Sequence, residues 1–327
     1  MAIHNPKPAV SARWLFTAVC VSLLAAAFFA WTTLCLLFWQ GSWQLLYHPV
    51  SAVARTPASI GLPYDPVGFA STEAGEPRLK GWRVPAASDG RYGRYTVLLL
   101  HGKDGNLGDT LDALAALHKV GVNVLAFDYR GYGQSQFQHP SEARWREDAE
   151  WALQYLTGTR QVAANTILLD GEDLGANLAL EIAAQHPELG GVVLESPLES
   201  PLDAIFNDPR ARLVPARLLV GDHFDANAPA SALRIPSLWL FQLSSRERAA
   251  PPERPQAFQK VRSSKMLVWL ASSPDAGNEK ANSLARWLDD LGSTQKCNFI
   301  DALLRNPTFR RKAAKRKAKT LENGPPC

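Results

Sequence analysis

The stretch Leu168-Leu169-Asp170-Gly171-Glu172-Asp173-Leu174-Gly175-Ala176-Asn177 carries the strongest chemical signal in the chain. It reads as a short apolar strand, a sharp turn and a helix of small residues. The spacing Gly171-x-Asp173-x-Gly175 is that of a nucleophile elbow, which leaves one side chain alone at the carboxyl end of a strand. Serine is the usual occupant of that turn, and a hydroxyl there attacks carbonyl carbon once a base has taken its proton. Here the occupant is a carboxylate, so the spacing fits covalent catalysis while the residue type does not fit acyl transfer.

The elements that must position this turn follow from hydrophobic patterning. Tyr95 to Leu100, Val122 to Phe127, Thr166 to Asp170, Gly191 to Leu194, Ser237 to Phe241 and Met266 to Leu270 are short continuous apolar runs, as expected for strands covered on both faces. Helical patterns separate them, at Leu107–Val120, Ser141–Leu156, Leu174–Gln185, 252–261 and 277–291. Trp145, Ala149, Ala152 and Leu153 fall on one side of the second of these. Phe69 to Ala87 reads as two strands with Gly75 near the turn. Strand and helix in alternation predict a mostly parallel central sheet with helices on both faces. Residues 196–235 lack the bulk of a full cap domain and are expected to form a small lid. No repeat of solenoid period is present.

The two ends differ from the middle. Trp14 to Trp39 is uncharged, and as a helix it would span about 39 Å, more than the roughly 30 Å of a hydrocarbon core. A retained transmembrane helix over 14–39 is the expectation; a cleaved signal peptide and a buried core helix are the alternatives. Lys7 and Arg13 precede the run and the first charge after it is Arg55, which places residues 1–13 in the cytoplasm and the main domain outside it, periplasmic or extracellular. Residues 40–65 are a connector, 66–292 the globular domain and 293–327 a basic tail. The net charge of +4 is a property of that tail, where Lys296 to Lys319 hold nine basic residues against Asp301 and Glu322. Such a run suits a solvated tail or contact with anionic lipid; nucleic acid is not expected as a partner of an extracytoplasmic domain. Cys20, Cys35, Cys297 and Cys327 cannot staple the middle of the chain, and no Cys/His spacing suggests a metal or other cofactor.

His101-Gly102 with its Gly/Asn loop, Asp128-Tyr129-Arg130-Gly131-Tyr132-Gly133-x-Ser135, the Gly171-x-Asp173-x-Gly175 turn and Pro251-Pro252-Glu253 occur in the order that resembles the α/β-hydrolase superfamily, in particular its membrane-anchored serine-hydrolase-like members. The resemblance covers about residues 66–292 and implies the α/β-hydrolase fold. It also implies a site with a nucleophile, a His base, an acid that orients the base and two backbone N–H groups for an oxyanion. Asp173 takes the nucleophile position. The N–H groups would come from Leu174 and from the loop at Lys103. Glu247 falls where the acid belongs, although it also reads as a solvated residue between Arg246 and Arg248. The base should follow Leu267 to Leu270, but the sequence has no histidine after His223; Asp275 lies nearest that position. His139 and His223 are weak substitutes, and His101 belongs to the oxyanion loop.

Relatives with an elbow Asp, the epoxide hydrolases and haloalkane dehalogenases, attack carbon and then hydrolyse the ester with water activated by His. Without a base that second step stalls, since general-base help is worth about 10²–10⁴-fold. Asp173, Glu247 and Asp275 together therefore suggest a silenced triad: a membrane-anchored pseudoenzyme that binds a small molecule or protein in the retained cleft. The alternative is an active hydrolase of ester, amide or epoxide-type substrates built on Asp173. Lys103 supports the first reading, because an ion pair from Lys103 to Asp173 or Glu172 would fill the space a substrate carbonyl needs.

Overall fold

The computed structural model describes residues 11–243, 252–271 and 276–305, with the side chains of Ala276 and of 294–305 left undescribed. The expected positions of Glu247 and Asp275 lie outside these residues. The chain divides into two compact units, residues 1–48 with 200–223, and residues 49–199 with 224–327.

The first unit is built on α1 (Ala12–Gly41), a 30-residue helix capped by the Ser11 side chain, which accepts the Trp14 N–H. Length and apolar composition suit it to a membrane anchor or a signal sequence. The rest of this unit is short helix and turn, including α5 (Asp203–Phe206) and α6 (Ala216–Leu219). The stretch 196–235 is thus divided, because 200–223 group with α1 while the residues from Phe224 onward belong to the second unit.

The second unit is an eight-stranded sheet. Its strands are β1 (Asp65–Ser71), β2 (Pro77–Val84), β3 (Thr96–Leu100), β4 (Asn123–Asp128), β5 (Ile167–Glu172), β6 (Gly191–Glu195), β7 (Ser237–Leu243) and β8 (Lys265–Ala271). They lie in the order β8-β7-β6-β5-β3-β4-β2-β1; β2 runs antiparallel to both of its neighbours, β1 and β4, and the pairs from β4 to β8 are parallel. The Gly75 turn closes the β1–β2 hairpin with positive φ, as its position near the turn predicts. α2 (Leu111–Val120) and α9 (Ala276–Arg305) cover one face, packing Leu114, Leu117, Leu284, Trp287 and Leu288 on Val97, Leu99, Leu168 and Val193. α3 (Glu142–Gln154) and α4 (Leu174–Gln185) cover the other face. α7 (Asn227–Ala232) and α8 (Gln256–Lys260) complete the unit. α9 runs on to Arg305, beyond the helix expected to end near Leu291, since no proline interrupts the chain before Pro307.

The first four residues of the β5 run are fully covered, and the two glycines of the following turn set how closely α4 approaches the sheet. A Cβ on Gly175 would lie 2.2 Å from the Leu100 carbonyl oxygen and 2.5 Å from that of His101; one on Gly171 would lie 2.3 Å from the Gly175 oxygen. These contacts are with backbone, so neither side can yield cheaply. Gly175→Ala is expected to destabilise the detergent-solubilised chain by about 2–3 kcal/mol in urea unfolding, the upper range for overpacking. Gly158→Ala, where a Cβ meets nothing within 4 Å, should leave the midpoint nearly unchanged; equal effects at the two positions would refute the close approach.

Candidate functional site

Asp173 stands between β5 and α4 with φ 54° and ψ −122°. Such a conformation costs a non-glycine residue about 1–3 kcal/mol, and short Asp and Asn side chains are among the few that tolerate positive φ. Its surroundings hold it there. The Asp173 N–H donates to the Glu195 carbonyl at 2.9 Å, and the Asp173 carbonyl accepts the Ala176 N–H at 3.1 Å. Across the turn, the Gly102 backbone passes so close that a Cβ on it would lie 3.3 Å from the Asp173 Cβ.

That passing loop delivers Lys103. Its ammonium meets the Asp173 carboxylate at 2.5 Å and the Asp104 carboxylate at 3.5 Å, with the Lys103 and Asp173 side chains 23% and 25% exposed. Burial disfavours the Lys103 charge, but the hydrogen bond and charge of Asp173, aided by Asp104, outweigh it and hold the ammonium above its ordinary pKa. The ion pair expected from the sequence is therefore formed, and it engages the side chain at the nucleophile position of the turn. The Lys103 and Leu174 N–H groups, the expected oxyanion donors, are taken by no other group among the described residues.

The loop is fixed from behind. The Tyr132 hydroxyl donates to the Lys103 carbonyl at 2.8 Å and the Tyr129 hydroxyl to the His101 carbonyl at 3.3 Å. Both tyrosines belong to the segment after β4. That segment is tied to α3 by Arg130, whose backbone N–H and Nε–H donate to the Asp148 carboxylate at 2.8 and 2.6 Å. Tyr129 also stacks on Trp145 of α3, with ring centroids 4.1 Å apart.

None of the histidines pairs with Asp173 among the described residues. His101 is nearest in sequence to the loop but is committed elsewhere. Its Nδ1–H donates to the Gly102 carbonyl at 2.8 Å, and its Nε2 faces the Asp128 carboxyl at 3.7 Å with no donor in reach. Burial pushes the ring down to about 4, so it is neutral. Burial likewise pushes the Asp128 carboxyl up to about 7, against the Leu107 N–H that it accepts. His118 bonds the Pro85 carbonyl and His186 lies between Glu150 and Glu188, as their places at helix ends suggest. His139 packs edge-on against Phe137.

Sequence reasoning missed a second cluster beside the turn. Lys280 of α9 is ion-paired with Glu195 at the end of β6, and Asp170 of β5 lies under them, 1% exposed, with no N–H or O–H donor on either oxygen. Burial first, then the Glu195 charge, holds the Asp170 carboxyl well above the usual range. The signal was present in the sequence: Asp170 is the one charged residue in the apolar run Thr166 to Asp170. Among the described residues no group of three His, Cys, Asp or Glu is placed to hold a metal ion. A hollow of about 600 Å³ opens away from the elbow, floored by Lys80 and Trp82 and reaching Asp128.

This strand order, the strained turn at Asp173 and the loop of Gly102 and Lys103 are those of an α/β-hydrolase. Residues 93–262 match the model of the serine aminopeptidase S33 family, and the chain belongs to that family of α/β-hydrolases. An uncharacterized protein of Mycobacterium tuberculosis is 32% identical over 200 residues, spanning 61% of this chain and 68% of that protein. The alpha/beta hydrolase domain-containing protein WAV2 of Arabidopsis thaliana is 28% identical over 167 residues, 49% of this chain and 53% of that protein. Among solved structures, an alpha-beta hydrolase of Vibrio vulnificus superimposes with a TM-score of 0.52 at 23% identity, covering 72% of this chain and 82% of that one. A Pyrococcus furiosus esterase does so with a TM-score of 0.54 at 17% identity, covering 75% and 97%. These two likenesses speak for the fold.

The Asp128 carboxyl makes a pH test of the loop support. The unfolded chain releases that proton near the ordinary value of 3.8 and the folded chain near about 7, so between these values the folded state binds more protons and its stability falls as pH rises. His101 acts in the opposite sense, adding stability from about 4 up to its ordinary 6.5. Asp128→Asn keeps the acceptor for the Leu107 N–H and removes only the first effect. The stability of the wild type relative to Asp128→Asn should therefore fall across about pH 4 to 7, by up to about 1.4 kcal/mol per unit. Urea unfolding of both proteins at several pH values measures this, and a level difference would show Asp128 ionised in the fold.

Proposed function

We propose that this α/β-hydrolase-fold protein is a pseudoenzyme, anchored to a membrane by α1, that uses the retained cleft for binding or scaffolding. The Lys103–Asp173 ion pair at 2.5 Å carries the reading. A carboxylate is a poor nucleophile toward an ester or amide carbonyl, because its product is an anhydride. Bound to an ammonium it is poorer still, and Lys103 lies where a substrate carbonyl would have to enter. The positions that would supply the acid and the base carry Glu247 and Asp275, so the site lacks the imidazole that takes the nucleophile's proton and passes it to the leaving group. Leu174 and Lys103 retain oxyanion-type N–H groups, which would hold a carboxylate or carbonyl of a bound ligand as readily as a transition state.

The membrane reading rests on the uncharged length of α1 and on the charges that flank it. Lys7 and Arg13 favour a cytoplasmic N-terminus, with the sheet domain on the far side. The basic residues Arg310 to Lys319 would add contact with anionic lipid on the side where they emerge.

Ester, amide and epoxide substrates are expected to turn over at background rates with the full chain, with no change on Asp173→Asn, and a fluorophosphonate probe should label no serine. Asp173→Ser should also remain unlabelled, since a serine without a base lacks the 10²–10⁴-fold assistance that activates it. Turnover that Asp173→Asn abolishes would overturn the reading in favour of an active hydrolase built on Asp173.

A further inference from the structure

α1 is longer than a bilayer requires. Its 30 residues reach about 45 Å, against roughly 30 Å of hydrocarbon. The side-chain environment changes along it. From Ala12 to Ala30 nearly every residue is exposed, including Leu15, Phe16, Leu24 and Phe29. From Thr32 onward one stripe turns inward, through Thr32, Cys35, Phe38 and Ser42, the three-to-four spacing of a packed helix face. The residues that cover it include α6. Trp31 marks the change, and its indole Nε1–H donates to the Leu213 carbonyl at 3.2 Å. Trp14 and Trp31 are separated by about 26 Å along the axis, close to a hydrocarbon thickness, so they suit the two aromatic belts of a span. The Leu213 backbone then lies at the level of one belt.

The chain around Leu213 has the composition of that level. Leu213 is 60% exposed and Leu218 85% exposed. Arg212 and Arg217 line a hollow of about 340 Å³ that Leu218 also borders. Arg210 is neutralised by Asp208, which accepts at 2.8 and 3.0 Å. No carboxylate pairs with Arg212 or Arg217 among the described residues; the Arg217 guanidinium lies over the Phe206 ring at 4.8 Å. Outward leucines beside unpaired arginines form the two-sided chemistry of an interfacial contact, an apolar edge for acyl chains and guanidinium groups for phosphate.

We propose that residues 209–219 are a second membrane contact, in which Leu213 and Leu218 enter the interfacial layer and Arg212 and Arg217 hold the phosphate of an anionic phospholipid. The proposal rests on the reading of α1 as a retained anchor. It shortens the span to about residues 14–31 and makes the remainder of α1 a stalk packed on 200–223.

The test uses the full chain with its four cysteines replaced by alanine, a single cysteine carrying an environment-sensitive fluorophore, and vesicles of phosphatidylcholine with or without phosphatidylglycerol. Leu24→Cys reports lipid and the exposed Asp89→Cys reports water. Leu218→Cys is expected to give a lipid-shifted signal, stronger with phosphatidylglycerol. Arg212→Gln with Arg217→Gln should move it toward water by roughly thirtyfold in equilibrium, at about fivefold per arginine, and leave Leu24→Cys unchanged. A water-like Leu218→Cys beside a lipid-like Leu24→Cys would overturn the proposal and spare the anchor. A water-like Leu24→Cys would overturn both. Loss of the Leu218→Cys signal on adding inorganic phosphate would assign the hollow to free phosphate and overturn the bilayer contact.

Discussion

The close approach of α4 to the tip of β3 is the constraint on which the rest of the site depends. At Gly175 the backbone of one element lies against the carbonyl oxygens of Leu100 and His101, at distances that exclude a methyl group. That approach fixes the turn before the helix, puts Asp173 at positive φ and sets the Gly102 backbone against the Asp173 side chain. Once the strand tip and the helix start are locked together, the loop after β3 has little choice of path. Its lysine then meets the Asp173 carboxylate.

A second layer converts this constraint into a rigid site. Arg130, 4% exposed, and Asp148, fully buried, form a buried pair with two hydrogen bonds. A buried pair of this sort is poor evidence for stability, because desolvation offsets most of the attraction. Its effect here is positional. It ties the segment after β4 to α3, and the Tyr129 and Tyr132 hydroxyls hand that position on to the carbonyls of His101 and Lys103. The loop of Gly102 and Lys103 is thereby held in place by the segment after β4 and, through it, by α3.

The central strands and the elbow were legible because their signals are local. A continuous apolar run bounded by glycine fixes a covered strand, and Leu174–Gln185 matches its predicted helix to the residue. The Lys103–Asp173 contact was also legible, since loop and turn meet at one end of a parallel sheet. Asp170, Glu195 and Lys280 were not, because they come from three elements spread over more than a hundred residues. Only the sheet order β6-β5 and the seat of α9 bring them together. The division of 196–235 was illegible for a similar reason. Phe224 is drawn to the sheet unit by hydrogen bonds to Glu142 and Asn177, and no periodicity in the intervening residues announces a boundary.

The identity of the residue at the elbow is easier to understand from the backbone than from chemistry. A turn held at φ 54° and ψ −122° strains any side chain it carries. Glycine would satisfy the backbone with less strain. Aspartate adds something glycine lacks, a charge that anchors Lys103 in a partly buried position. With glycine there the ammonium would keep only the more distant Asp104 carboxylate, at 3.5 Å, to offset its partial desolvation. Asp173 and Lys103 are therefore best understood as one unit, in which the strained backbone presents a carboxylate and the carboxylate keeps the oxyanion loop in register. The strained elbow and the ion pair hold one another in place.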